Sequence, residues 1–313
     1  MLALPLVAIL VAPALVRAAF QPPLPAFRHL VTFGDSYTDV ENPMDGGTAW
    51  PVYAARDGNL ALHPFAKSGG TCSNNITFRP SPSVMESQIP AFKSAALRLP
   101  QGATVYTLWI GTNDVGASAL LTGNDPGFSV VDTTACAVDW IRIMHSLGAR
   151  NFIFQNMIPL QLTQLYSANS FPNRFWSFQR NTTEWSVFMT ELTLAGNALS
   201  KLMLQALAPT LPGSHIALFD SHALFTDMFN HPSRYLNGTA PLNVTGSINQ
   251  CVFESDNGGP VGGVCAPATA DNAVRDSFLW WDELHPSEQA DRIVAREMVK
   301  AMRGNTRWAT WIS

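Results

Sequence analysis

Charge is what this chain has least of. Asp, Glu, Lys and Arg together make up 13% of its 313 residues, about half the usual share. Surface polarity must therefore come from uncharged groups or attached sugars. The formal net charge is −4 and no Lys/Arg-rich run occurs, so the electrostatic footprint of a nucleic-acid or anionic-membrane binder is missing. Zinc-ligand spacings of the C-x-x-C or H-E-x-x-H kind are absent too, which argues against a zinc site and leaves no metal or organic cofactor implied. No internal repeat and no long biased linker divides the sequence. Beyond the N-terminal stretch, no segment is apolar enough to span a bilayer.

That N-terminal stretch, Met1–Phe20, is an apolar run closing in Val16-Arg17-Ala18-Ala19, the pattern of a secretory leader cut after Ala18 or Ala19. A membrane anchor would need ~20 uninterrupted apolar residues, and Arg17 ends the run too early. Residues 1–19 are expected to be a signal peptide, and 20–313 a single domain of a secreted, extracellular protein. N-glycosylation sequons at Asn75, Asn181, Asn237 and Asn243 agree with that compartment. So does the even set of cysteines, Cys72, Cys136, Cys251 and Cys265, which allows three pairings. Cys251 with Cys265 encloses a Gly/Pro-rich loop and is the favoured pair, leaving Cys72 for Cys136.

Short runs rich in Val, Ile, Phe and Leu at His29–Phe33, Thr104–Ile110, Asn151–Gln155 and His215–Phe219 read as buried strands. Helical patterns lie between and after them, at about Glu86–Leu97, Thr133–Leu147, Trp176–Leu207 and Ser287–Met302. This alternation predicts an α/β fold with a doubly wound parallel sheet covered on both faces, whose ligands bind beyond the carboxyl ends of the strands. Asn230–Pro267, rich in Gly and holding four Pro, reads as a disulfide-pinned surface excursion.

Unusual residues gather at those strand ends. Gly34-Asp35-Ser36 follows the first strand, and Gly111-Thr112-Asn113-Asp114 follows Thr104–Ile110. A serine hydroxyl becomes a nucleophile only with a base to take its proton, a group to orient that base, and donors for the oxyanion. Ser36 in a Gly-containing turn fits the nucleophile, although an N-cap serine would look alike. Asp282-Glu283-Leu284-His285-Pro286 puts a carboxylate three residues before a histidine, just ahead of the last helix. Such a carboxylate can fix the imidazole tautomer that serves the serine. His63, and His231 with Asp227, are competing histidines. Ser68-Gly69-Gly70 and Asn113 are the candidate oxyanion donors. Trp50, Trp280 and Trp281 lie beside these segments, where aromatic faces stack on sugars.

Four segments, Phe33 to Asp39, Lys67 to Cys72, Trp109 to Asp114 and Asp282 to Pro286, resemble the motif blocks of the GDSL, or SGNH, hydrolase superfamily in order and context. Tyr37, Cys72 and Trp109 make the chain similar to fungal acetylesterases of carbohydrate esterase family sixteen. The resemblance covers nearly the whole mature chain. It implies a three-layer α/β/α architecture with a mostly parallel five-stranded sheet in flavodoxin-like order. It also implies a serine esterase acting through an acyl-enzyme: Ser36 as nucleophile, His285 as base and then acid, and Asp282 orienting His285. The oxyanion would be held by the Ser36 and Gly69 backbone N–H groups and the Asn113 side chain, with Gly70 an alternative to Gly69. Asp35 and Asp114 read as turn and loop braces. The expected substrate is an acetylated plant cell-wall oligosaccharide, the expected state a monomer. A lipid esterase, a two-carboxylate glycosidase on Asp35 and Asp282, and an inert glycan-binding relative are the rival readings.

Overall fold

In the computed structural model, residues 26–256, 259–265, 268–269 and 271–313 are described; the expected leader and its cleavage site lie outside them. The elements run β1 (His29–Gly34), α1 (Trp50–Gly58), β2 (Ala61–Pro64), α2 (Ile89–Ser94), β3 (Thr104–Trp109), α3 (Thr112–Val115), α4 (Val130–Ser146) and β4 (Asn151–Gln155). They continue with α5 (Thr182–Leu207), β5 (His215–Phe219), α6 (Ser221–Asn230), β6 (Asn243–Ser247), β7 (Cys251–Asp256) and β8 (Gly259–Cys265). The chain closes with α7 (Asn272–Arg275), β9 (Phe278–Trp280), α8 (Glu288–Met302) and β10 (Ala309–Trp311).

Strands β2, β1, β3, β4 and β5 lie side by side in that order, all parallel, as the flavodoxin-like expectation requires. The sheet has one strand more than expected, because β10 pairs antiparallel with β5. At three residues it is too short to show an alternating pattern. The middle strands are buried end to end, as parallel strands covered by helices must be. Alternate residues serve opposite layers. Leu30, Val105, Ile153 and Ala217 face the core built with α1, α6 and α8, whereas Val31, Leu108, Phe152 and Ile216 face the one built with α4 and α5.

Helix starts follow local chemistry. Ser129 and Asp132 form a reciprocal capping box on α4, and the Ser287 hydroxyl accepts the Ala290 N–H at the start of α8. α5 begins at Thr182 rather than at Trp176, because Asn181 is its cap and the preceding residues form a separate turn. Its buried stripe, Met189, Thr193, Gly196, Ser200 and Leu204, packs towards α4 and the sheet, so α5 is part of a layer and not a lid. Gly196 makes that approach possible, since an added Cβ would come within 2.6 Å of Met157 and 3.2 Å of Val130. The pattern at Glu86–Leu97 resolves into an irregular turn over Val84–Gln88 and then the short α2. α1 carries Pro51 in its first turn, where the missing N–H costs nothing.

The surface excursion holds the β7–β8 hairpin, in which Cys251 and Cys265 stand opposite each other and are bonded. Cys72 and Cys136 form the second disulfide, tying the glycine segment to α4. Among the described residues no helix is long and apolar enough to cross a membrane. The Cys72–Cys136 bond closes a sequence separation of 64 residues. Replacing both with Ser is expected to lower the unfolding free energy by about 4 kcal/mol through restored freedom of the unfolded chain. Urea denaturation reads this directly, and an unchanged midpoint would contradict it.

Candidate active site

The site is assembled where β1, β2 and β3 end. β1 closes on Gly34 at φ +147°, where an added Cβ would sit 2.3 Å from the Trp109 carbonyl oxygen. Only glycine lets these two strands run so close at this point. Both peptide groups of Gly34 are met by one buried side chain: Gln88 accepts from its N–H at 3.0 Å and donates to its oxygen at 2.8 Å. Gln88 acts there as a substitute strand edge beyond the end of β2. The chain then turns tightly. Asp35 Oδ1 accepts the Tyr37 N–H at 3.0 Å and its carbonyl accepts from Thr38 and Asp39, which leaves Ser36 half-buried at the rim.

Ser36 meets its partner across the sheet end. Its Oγ lies 2.9 Å from His285 Nε2, and His285 Nδ1 lies 3.0 and 3.1 Å from the two oxygens of Asp282. Asp282 Oδ1 also accepts the backbone N–H groups of Leu284 and His285. Burial alone would raise the Asp282 pKa. The facing His285 ring and these donors outweigh it and hold the carboxyl below its ordinary value. Tyr37 joins the first and last segments, donating its hydroxyl to the Leu284 carbonyl at 3.0 Å and standing edge-on to His285.

The predicted donor segments converge here as well. Asn113 Nδ2 donates to the Gly70 carbonyl at 2.9 Å, which leaves its second N–H uncommitted by that bond. The Gly70 N–H is taken by the Lys67 carbonyl, whereas those of Ser36 and Gly69 have no acceptor among the described residues. Gly69 sits at φ +77°, a conformation that favours glycine. The geometry therefore separates the two glycines in favour of Gly69 as the free donor. Asp114 braces this corner by accepting the Cys72 N–H at 3.0 Å and the Thr77 hydroxyl at 2.8 Å.

Other expected residues lie elsewhere. His63 pairs with His29 at 3.2 Å, and His231 with Asp227 at 3.0 Å. Trp50 and Trp280 are fully buried core residues, with their indole N–H groups on Thr38 and Val244, so neither offers a face to a sugar. Trp281 is half-exposed, but Arg275 stacks on its ring at 5.2 Å. Of the sequons, Asn75, Asn181 and Asn237 are exposed and Asn243 is half-buried. Sequence reading missed Gln88 and also Glu283, a fully buried carboxylate between Asp282 and His285. Glu283 pairs with Arg174 Nε at 2.8 Å and accepts the Cys251 N–H, anchoring the excursion to the loop that bears Asp282 and His285. Neither carries a local signal, because each role exists only through a distant contact.

Burial raises the Asp35 pKa to about 7 and that of Asp114 to about 6, against the hydrogen bonds each accepts. Between pH 4 and 7 the folded protein thus holds protons that the unfolded chain, titrating near 3.8, has released. Stability from these two groups is complete below about pH 4 and declines as pH rises through 6 to 7. The lowered Asp282 works oppositely, losing its contribution as pH falls below its unfolded value. The melting temperature should fall between about pH 4.5 and 7.5, with a shallower fall in Asp114→Asn. A melting temperature that climbs over this interval would contradict these assignments.

The sequence profile of the GDSL-like Lipase/Acylhydrolase family matches residues 30–298. An acetylesterase of Hypocrea jecorina is 31% identical, the alignment covering 93% of this chain and 93% of that protein. An acetylesterase of Thermothelomyces thermophilus is 23% identical, with 89% of each chain covered. Among solved structures, a variant of an acetyl xylan esterase from Geobacillus stearothermophilus aligns at 14% identity and a TM-score of 0.46, covering 90% of this chain and 98% of that one. The chain belongs to the GDSL-like lipase/acylhydrolase family and is an ester-hydrolysing enzyme.

Proposed function

We propose that this protein is a secreted serine acetylesterase, its single domain spanning 20–313, that removes acetyl groups from acetylated plant cell-wall oligosaccharides. The observation that carries the reading is the line Ser36 Oγ, His285 Nε2, His285 Nδ1, Asp282, with spacings of 2.9 and 3.0 Å. Ser36 attacks the ester carbonyl while His285 takes its proton at Nε2. Asp282 keeps the opposite nitrogen protonated and stabilises the imidazolium that forms. The oxyanion settles among the N–H groups of Ser36 and Gly69, which have no acceptor among the described residues, and the Asn113 N–H that is not used on the Gly70 carbonyl. His285 then gives its proton to the departing alcohol, and a water activated at the same nitrogen hydrolyses the acyl-enzyme.

The acetyl group is favoured by two full-length relatives that are named acetylesterases. Secretion is supported by the leader-like N-terminus, the disulfides and the exposed sequons. Asp35 is buried with its Oδ1 on the Tyr37 N–H, and Asp282 is held by His285 and two backbone N–H groups, so a two-carboxylate glycosidase on Asp35 and Asp282 has no free acid–base pair to use.

Acetate release from acetylated xylo-oligosaccharides, triacetin and longer-chain triglycerides tests the reading. Release should be fastest from the sugar esters and absent in Ser36→Ala; preference for long acyl chains would contradict the substrate assignment. Asn113→Ala should remain folded and lose roughly 100- to 1,000-fold in turnover on 4-nitrophenyl acetate. Near-normal turnover in that variant would remove Asn113 from the oxyanion site.

A further inference from the structure

The departing alcohol has to lie within hydrogen-bond reach of His285 Nε2, because that atom returns the proton to it. A partly exposed side chain beside the imidazole is therefore placed near where the alcohol departs. Two aromatic rings touch the imidazole. Tyr37 is fully enclosed, with its hydroxyl on the Leu284 carbonyl, and cannot reach a substrate. Phe175 lies with its ring centroid 5.4 Å from that of His285, tilted by 53°, and is only partly buried.

The position of Phe175 is fixed from three sides. Asn173, fully buried, accepts the Phe175 and Trp176 N–H groups and donates to the Phe171 carbonyl. The Asn173 and Trp176 backbones close the turn with bonds of 2.9 and 3.2 Å. Arg174, between them, is paired with Glu283 of the catalytic loop and also donates to the Asn249 carbonyl. A turn tied to the loop that bears His285 keeps the phenyl ring in register with the imidazole. Such a ring loses little freedom when a ligand packs on it.

We propose that Phe175 determines leaving-group specificity: the exposed part of its ring takes the C–H face of the pyranose ring whose acetylated oxygen is released. The negative π face of a phenyl ring suits the weakly positive C–H groups of a sugar. Phe has no hydrogen-bonding atom, so this contact selects a flat, apolar-faced alcohol without reading individual hydroxyls. The inference rests on the acetylesterase reading above.

The test compares kcat/KM on a mono-acetylated methyl β-xylopyranoside with kcat/KM on ethyl acetate, whose alcohol has no ring to stack. Phe175→Ala should lower the sugar-to-ethyl ratio by roughly 2- to 10-fold, the span of an aromatic contact. Phe175→Tyr should restore it. Phe178→Ala, which changes a 50% exposed ring in the same segment, should leave the ratio at the wild-type value. Equal loss on both esters, or no loss on either, would overturn the proposal, the first because Phe175 then serves only to pack His285. A wild-type enzyme that cleaves ethyl acetate but not the sugar ester would instead overturn the assignment of acetylated oligosaccharides as substrate, and this inference with it.

Discussion

The hydrogen bond between Ser36 and His285 joins residues 249 positions apart, and the rest of the structure is arranged to make it at 2.9 Å. One end hangs from the carboxyl end of β1, the other from the loop ahead of α8. A parallel sheet whose central strands are buried end to end is stiff enough to hold the first. Gly34 lets β1 and β3 close to contact just before Ser36, and Gln88 completes the strand edge that β2 leaves open. On the other side, Tyr37, the residue after Ser36, reaches the Leu284 carbonyl, so the two segments are clamped next to the bond itself.

Four carboxylates surround this bond, and their surroundings divide the labour. Asp282 gathers donors from His285 and two backbone N–H groups and stays charged, as the orienting role proposed for it demands. Asp35 and Asp114 have fewer donors for the same degree of burial, and their pKa values rise towards neutrality. Glu283 is raised by burial too, against its Cys251 and Arg174 partners. It connects the loop to the disulfide hairpin and to the turn carrying Phe175. Chemistry and architecture thus use the same residue type, separated by how many donors each carboxyl finds.

Much of this was legible in the sequence because it is local. Continuous apolar runs marked β1, β3, β4 and β5, and three of the four motif segments lie at the strand ends that a doubly wound sheet exposes to ligand, the fourth, Asp282 to Pro286, lying just ahead of α8. α1 escaped notice because Pro51 interrupts its pattern at a position where proline is harmless. β10 has too few residues to show a period. Tryptophans near a motif were misleading: Trp50 and Trp280 fill the core, and the partly exposed aromatic ring beside His285 is Phe175, far from every motif. Gln88, Glu283 and Arg174 owe their roles to partners brought in by the fold, which no spacing along the chain reports.

The central claim is that Ser36 is the activated nucleophile. Labelling with diethyl 4-nitrophenyl phosphate, followed by mass spectrometry of the digested protein, tests it most directly. The account predicts one diethylphosphoryl group, carried by Ser36, with its amount tracking the loss of esterase activity. Full inactivation with the label on another residue, or with Ser36 unmodified, would contradict it.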